Sequence, residues 1–242
     1  MVKKIDPFII KKEGSYEYAE INPEYTKKVN QQKYELFLKK SNIPSFYWNI
    51  EFDHYEGNKD DKDYKKIIYY AYNCYQEKFD HVHLFLYGTH STQKTALGIN
   101  VLKQCIKNGM TVKFILAGVL IDRLMKTQGF KVDEDIYNEI KELKRSDIIL
   151  IDDAFDPDKS LLWKNSDNKN MILSEWDIFL REVLSSKTRV IITSNFDPSV
   201  IKQHYGNSLY ELIDRNFICL QLTENIKTLR KSKLSSIFKD IK

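Results

Sequence analysis

The sequence predicts an α/β fold, a doubly wound parallel sheet with helices on both faces. Three observations predict it. Stretches such as IILI at 148–151 and VII at 190–192 are uninterrupted aliphatic runs, the pattern of strands buried on both faces. Strand-like and helix-like stretches alternate through residues 81–222. Finally, residues 81–95, HVHLFLYGTHSTQKT, read as a strand, a tight loop and a helix start.

The elements follow in order. Residues 1–21 mix charge with short apolar pieces. From Asn22, a helix N-cap with Pro23 at the first helical position opens an amphipathic run to about Lys40. Nine lysines against six acids make residues 1–40 locally basic; a solvated helix face is the first explanation and a partner-binding arm the second. Residues 41–58 are rich in aromatic and turn-forming residues, and the acidic stretch 59–63 reads as the boundary with the main domain. A helix over 64–78 packs aromatic and aliphatic side chains on the sheet. Then come the strand ending at Tyr87, a helix over 95–107, a strand over 111–116, and helices over 119–127 and 133–144. The strand 148–151, a helix over 171–184, a strand over 189–193, short helices near 199–204 and 209–216, and a strand over 217–222 complete the order. Residues 226–242 have six basic residues and one acid. That tail reads as an amphipathic helix with a cationic face, suited to nucleic-acid backbone or to plain solvation.

Composition narrows the class. With 242 residues, 42% of them hydrophobic and 13% aromatic, the chain has material for one substantial domain and a small appendage. A formal charge of +4 is too mild to mark a nucleic-acid binder by itself. The three cysteines, Cys74, Cys105 and Cys219, are widely spaced, so neither a disulfide framework nor a zinc site is expected and a reduced, cytoplasmic compartment is. No stretch has the length of a membrane span, and the amino terminus has no leader pattern.

In such sheets ligands sit at the carboxyl ends of the strands. The first end carries Gly88, Thr89, His90, Ser91, Thr92, Gln93, Lys94 and Thr95. A phosphate-binding loop needs G-x-x-x-x-G-K-[ST], because successive N–H groups curl round a phosphate, the lysine reaches its outer oxygens and the hydroxyl holds Mg²⁺. Gln93 stands where the second glycine belongs; its side chain crowds the phosphate and disfavours positive φ. The helix begun near Lys94 directs its positive end at the loop. After the strand 148–151 come Asp152 and Asp153. An acid placed there can hold Mg²⁺ and a second can polarise an attacking water; alternatively the two acids simply open a solvated loop. After 189–193, Asn195 or Thr193 can orient water, while Ser194, Asn195 or Asp197 can cap the helix beginning at Pro198. Arg215 ends a short helix, placed either to reach a neighbouring subunit's phosphate or to pair with Asp214 on the surface.

Taken together, YGTHSTQKT, IILIDD, VIITSNFDPSVI and ELIDRN resemble the DnaC/DnaI/IstB branch of the AAA+ ATPases, over about residues 42–227. NIPSFYWNIEFDHY resembles the segment leading into the ATPase domain of these loaders. The resemblance implies a P-loop NTPase of AAA+ type over residues 46–242, with little or no helical lid, and a short helical arm over 1–45 for helicase contact. It implies ATP and Mg²⁺ as cofactors. Lys94 and Thr95 would hold phosphate and metal, with Asp152 the metal acid and Asp153 the catalytic acid of Walker B. Asn195 would be sensor 1, Arg215 the arginine finger, and Lys227, or Arg230 just beyond, the counterpart of sensor 2. The implied function is an ATP-dependent helicase loader from a phage or other mobile element, working with a replicative helicase and single-stranded DNA as a homo-oligomer in the ATP state. Gln93 predicts a weak ATPase. A degenerate ATPase acting as a regulatory protein and an IstB-like transposition ATPase are the alternatives.

Overall fold

The computed structural model describes residues 5–127, 133–156 and 166–223. The chain opens with an antiparallel hairpin, β1 (Phe8–Glu13) and β2 (Tyr16–Ile21). Its turn carries Gly14 at φ +62°, a conformation that glycine adopts without strain. Sequence reading found only the helix of this arm. Every residue of both strands is exposed, so no buried face imposes a clean period of two.

Helix α1 (Pro23–Lys40) follows, with the Asn22 side chain accepting from Glu24 N at 3.0 Å. Leu38 near its end is buried with Ile43, and Ser41 O accepts from Phe114 N at 2.8 Å. Two short 3₁₀ turns, Ser45–Tyr47 and Phe52–His54, shape the next segment. α2 (Lys62–Asn73) is capped by Asp61, while Asp63 accepts from the Gln221 backbone. Of the stretch read as a boundary, Asp61 thus starts α2 and Asp63 ties it to β7.

The main sheet is built from β3 (His83–Tyr87), β4 (Val112–Leu116), β5 (Ile148–Ala154), β6 (Arg189–Ser194) and β7 (Phe217–Gln221). Its order is β4-β5-β6-β3-β7, parallel throughout. α3 (Lys94–Lys107), α4 (Ala117–Lys126), α5 (Glu134–Arg145), α6 (Ser166–Leu184), α7 (Pro198–Tyr205) and α8 (Asn207–Asn216) connect the strands. Ile148, Ile149, Leu150 and Ile151 are fully buried, as uninterrupted aliphatic runs require. One core layer packs α2 and α3 on the sheet through Ile67, Leu97 and Leu102; the other packs α4 and α6 through Leu120, Trp176 and Phe179. Gly98 lets α3 lie close on β5, since a Cβ there would sit 3.0 Å from the Leu150 methyls. Among the described residues, no helix is long and apolar enough to cross a membrane. The three cysteines are free thiols; those of Cys74 and Cys105 meet in the core between α2 and α3.

β3 begins with a buried histidine. The Val190 N–H donates to His83 Nδ1 at 3.1 Å, and burial, with His81 and Arg189 nearby, pushes the imidazole down to about 4. A depressed histidine favours the fold only while it stays neutral: the unfolded chain takes up a proton near 6.5, the folded chain does not until about 4. Stability is therefore complete above pH 6.5 and falls by up to about 3 kcal/mol as the pH drops towards 4. Denaturant midpoints measured across that range should decline in the wild type, and less steeply in His83→Gln.

Candidate active site

The carboxyl ends of β3, β5 and β6 surround a cleft of about 350 Å³. Gly88 starts its loop at φ +146°, and a Cβ there would lie 2.0 Å from Leu222 O, next to the bond from Leu222 N to Tyr87 O. The close passage of the chain leaving β7 thus demands glycine. Lys94, buried at the first position of α3, donates from Nζ to Gly88 O at 2.8 Å, Thr89 O at 2.7 Å and Thr92 Oγ1 at 3.1 Å. Its charge is held under the loop that has to receive an anion.

Gln93 adopts φ +62°, the left-handed conformation natural to the glycine it replaces. Its side chain reaches the segment before α2, where Oε1 accepts from Glu56 N at 3.0 Å; Nε2 is buried with no hydrogen-bond partner among the described residues. The left-handed backbone costs a non-glycine residue about 1 kcal/mol, and the Glu56 bond returns a similar amount. Gln93→Gly should accordingly change the unfolding free energy by less than about 1 kcal/mol and leave ATP turnover unchanged or raised, measured by denaturation and phosphate release.

Asp152 ends the regular part of β5. Thr95 Oγ1 donates to Asp152 Oδ1 at 2.7 Å and Thr193 Oγ1 donates to the same oxygen at 2.6 Å. Burial pushes the Asp152 carboxyl up; the Thr193 and Thr95 bonds oppose this, Asp153 adds to it and Lys94 opposes it. A cation beside Asp152 would favour the ionised form. Successive strand residues normally face opposite sides, yet Asp153 also lines the cleft. The β5–β6 register shifts between Ile151 and Ala154, and Asp153 sits at φ +59°. The Asp153 N–H donates to Thr193 Oγ1 at 3.0 Å, and Asn195 Nδ2 donates to Asp153 Oδ1 at 3.1 Å.

Comparison with protein families and with curated proteins returns no match. Solved structures do match. DnaI aligns with TM-score 0.58 and 15% identity over 75% of this chain and 92% of its own. A DnaC helicase loader aligns with TM-score 0.54 and 17% identity over 74% of this chain and 99% of its own. The chain has the DnaC/DnaI-like AAA+ fold. The replication initiator DnaA bound to AMPPCP and single-stranded DNA also aligns, with TM-score 0.54 and 17% identity over 77% of this chain and 54% of its own.

On this AAA+ framework the cleft brings together His90, Ser91, Thr92, Gln93, Lys94, Thr95, Asp152, Asp153 and Asn195. Asp197 caps α7 by accepting from Ser199 N at 2.7 Å, which leaves Asn195 to the cleft. Arg215 lies elsewhere. α8 ends directly before β7, whose start pairs with the start of β3 at His83. Arg215 therefore sits at the amino end of the strands, opposite the carboxyl end that carries its own phosphate loop, about 16 Å away along a five-residue strand. Its side chain is exposed and pairs with Glu211 at 3.2 Å, one helical turn back, in place of the anticipated Asp214. Lys227, Arg230 and the basic tail lie outside the described residues.

Sequence reading missed Phe46 and Tyr47, which line the cleft. They reach it from the 3₁₀ turn after Pro44, and an aromatic pair after Ile-Pro carries no mark of where the turn will lie.

Proposed function

We propose that this chain is an ATPase that binds ATP with Mg²⁺ in the cleft and acts as a loader of a replicative helicase on single-stranded DNA. The observation that carries the reading is the convergence on one cleft of Lys94 and Thr95 from α3, Asp152 and Asp153 from β5, and Asn195 after β6. The amides at the start of α3 and the Lys94 ammonium suit a polyphosphate. The donors at Thr95 and Asp152 are a hydroxyl and a carboxylate, hard oxygens that suit Mg²⁺. No group of three His, Cys, Asp or Glu that could hold a metal ion occurs among the described residues. Bound there, Mg²⁺ supplies charge neutralisation at the phosphates. Asp153 accepts a proton from the attacking water, and Asn195 holds that carboxylate in place. Arg215 serves a neighbouring subunit, since its own cleft is out of reach. Likeness to a DnaC helicase loader and to DnaA bound to AMPPCP and single-stranded DNA supports the replication setting.

The arm over residues 1–45 is the proposed helicase contact. Directly opposed strand residues share a face, so Phe8, Ile10, Ala19 and Ile21 form one apolar face of the hairpin. Phe8, Ile10 and Ile21 are more than half exposed. Phe8→Glu/Ile10→Glu should leave ATP turnover and thermal stability unchanged and abolish co-purification with a hexameric replicative helicase; retained capture would sink the assignment.

ATPase activity measured with and without single-stranded DNA and that helicase tests the reading as a whole. Stimulation by both is the expected result. A second reading, a degenerate ATPase acting as a regulatory protein, draws on Gln93 in the left-handed position. It predicts no turnover under any of these conditions.

A further inference from the structure

Lys103 is a lysine with no access to solvent, about two and a half turns into α3 from the phosphate loop. Its ammonium donates to Ile50 O at 2.5 Å, to Asn100 Oδ1 at 3.4 Å and to Tyr47 O at 3.5 Å, and it pairs with Glu51 Oε1 at 3.0 Å. Burying a charge is costly unless it is fully paired, and here three of the four partners belong to one segment, residues 47–51. That segment has other anchors at its two ends. Trp48 Nε1 donates to Ile43 O at 2.9 Å, Tyr64 Oη donates to Phe52 O at 3.2 Å, and the Tyr55 and Tyr64 rings stack at 4.6 Å. Between those anchors, Lys103 draws the segment onto the helix that begins with Lys94.

The consequence falls on the cleft, because Phe46 and Tyr47 line it together with residues of the phosphate loop and the two acids. Lys103 is nine residues beyond Lys94, roughly 14 Å along the helix, too far to touch a phosphate held by the loop. We infer that Lys103 is a positioning residue: by clasping residues 47–51 to α3 it holds Phe46 and Tyr47 in place as the wall of the nucleotide cleft, and so sets nucleotide affinity without taking part in hydrolysis. The inference rests on the nucleotide reading above. Gln93, whose amide oxygen accepts from Glu56 N, ties the chain a few residues further on to the phosphate loop.

The clasp also meets the arm. Glu51 Oε2 stands 3.9 Å from Lys107 Nζ, which in turn lies 6.0 Å from the centre of the Tyr34 ring on α1.

The test uses the full chain, with Mg²⁺ and a fluorescent ATP analogue, in the wild type, Lys103→Met and Glu51→Ala. The expected result is affinity about tenfold weaker in Lys103→Met, with saturated turnover within about twofold of wild type, and faster amide exchange across residues 46–55 in the nucleotide-free protein. Glu51 is partly exposed, so Glu51→Ala keeps the fold and should weaken affinity about threefold through loss of the pair; it carries the test if Lys103→Met does not fold. Unchanged affinity in the folded variants would overturn this inference alone. So would a loss confined to turnover. Failure of the wild type to bind would overturn the nucleotide reading and this inference with it, and the exchange data would still show whether the segment was clasped.

Discussion

Lys94→Ala should lose measurable ATP binding, with affinity at least about 100-fold below wild type. The Nζ atom already has an arranged seat beneath the loop, donating to Gly88 O, Thr89 O and Thr92 Oγ1. A bound phosphate would exchange some of those neutral acceptors for charged oxygens, and charge-assisted bonds of this kind contribute about 1.5–3 kcal/mol each. Two of them account for the predicted loss. Titration calorimetry with ATP and Mg²⁺ reads it directly. The same variant tests the role given to Arg215, because Lys94→Ala keeps the arginine and Arg215→Ala keeps the lysine. Each alone should be inactive. Mixing them should restore part of the turnover if the arginine of one subunit completes the cleft of the next; no recovery at any ratio would contradict that role.

Asp153→Asn should separate binding from chemistry. Removing a general base costs about 100- to 10,000-fold in rate, and Asn195, which donates to Asp153 Oδ1 at 3.1 Å, would then face a group unable to take a proton. ATP affinity should stay within about threefold of wild type, since Lys94, Thr95 and Asp152 are untouched. A single-turnover experiment should therefore show bound ATP persisting unhydrolysed. Hydrolysis at the wild-type rate would remove Asp153 from the mechanism.

The parts of this protein legible in its sequence are those set by short-range rules. Ile148–Ile151 read as a strand buried on both faces, and the acids directly after it stood at a strand's carboxyl end, where a metal role and a solvated loop were both open. Asn22 with Pro23 marks a helix start by local chemistry; ahead of Pro198 the sequence left Ser194, Asn195 and Asp197 open as caps, and the structure selects Asp197. Features that depend on distant contacts were not legible. The need for glycine at position 88 comes from Leu222, the seat of Lys103 from residues 47–51, and the direction of the Gln93 side chain from Glu56. The turn of Asp153 into the cleft comes from a register shift against β6, which no pattern within β5 announces. The hairpin escaped because neither of its faces is buried against the rest of the chain. The Arg215 partner was readable in principle: residues four apart share a helix face, which selects Glu211 over the adjacent Asp214.

The central claim is that a loop with glutamine in place of its second glycine still forms a working nucleotide site, because Gln93 takes up the glycine's backbone conformation. Calorimetric titration of the wild-type chain with ATP and Mg²⁺ tests it most directly. The account predicts saturable binding of one ATP per chain at submillimolar concentration, roughly 4 kcal/mol or more of binding free energy, lost in Lys94→Ala. No heat of binding at millimolar nucleotide would contradict it.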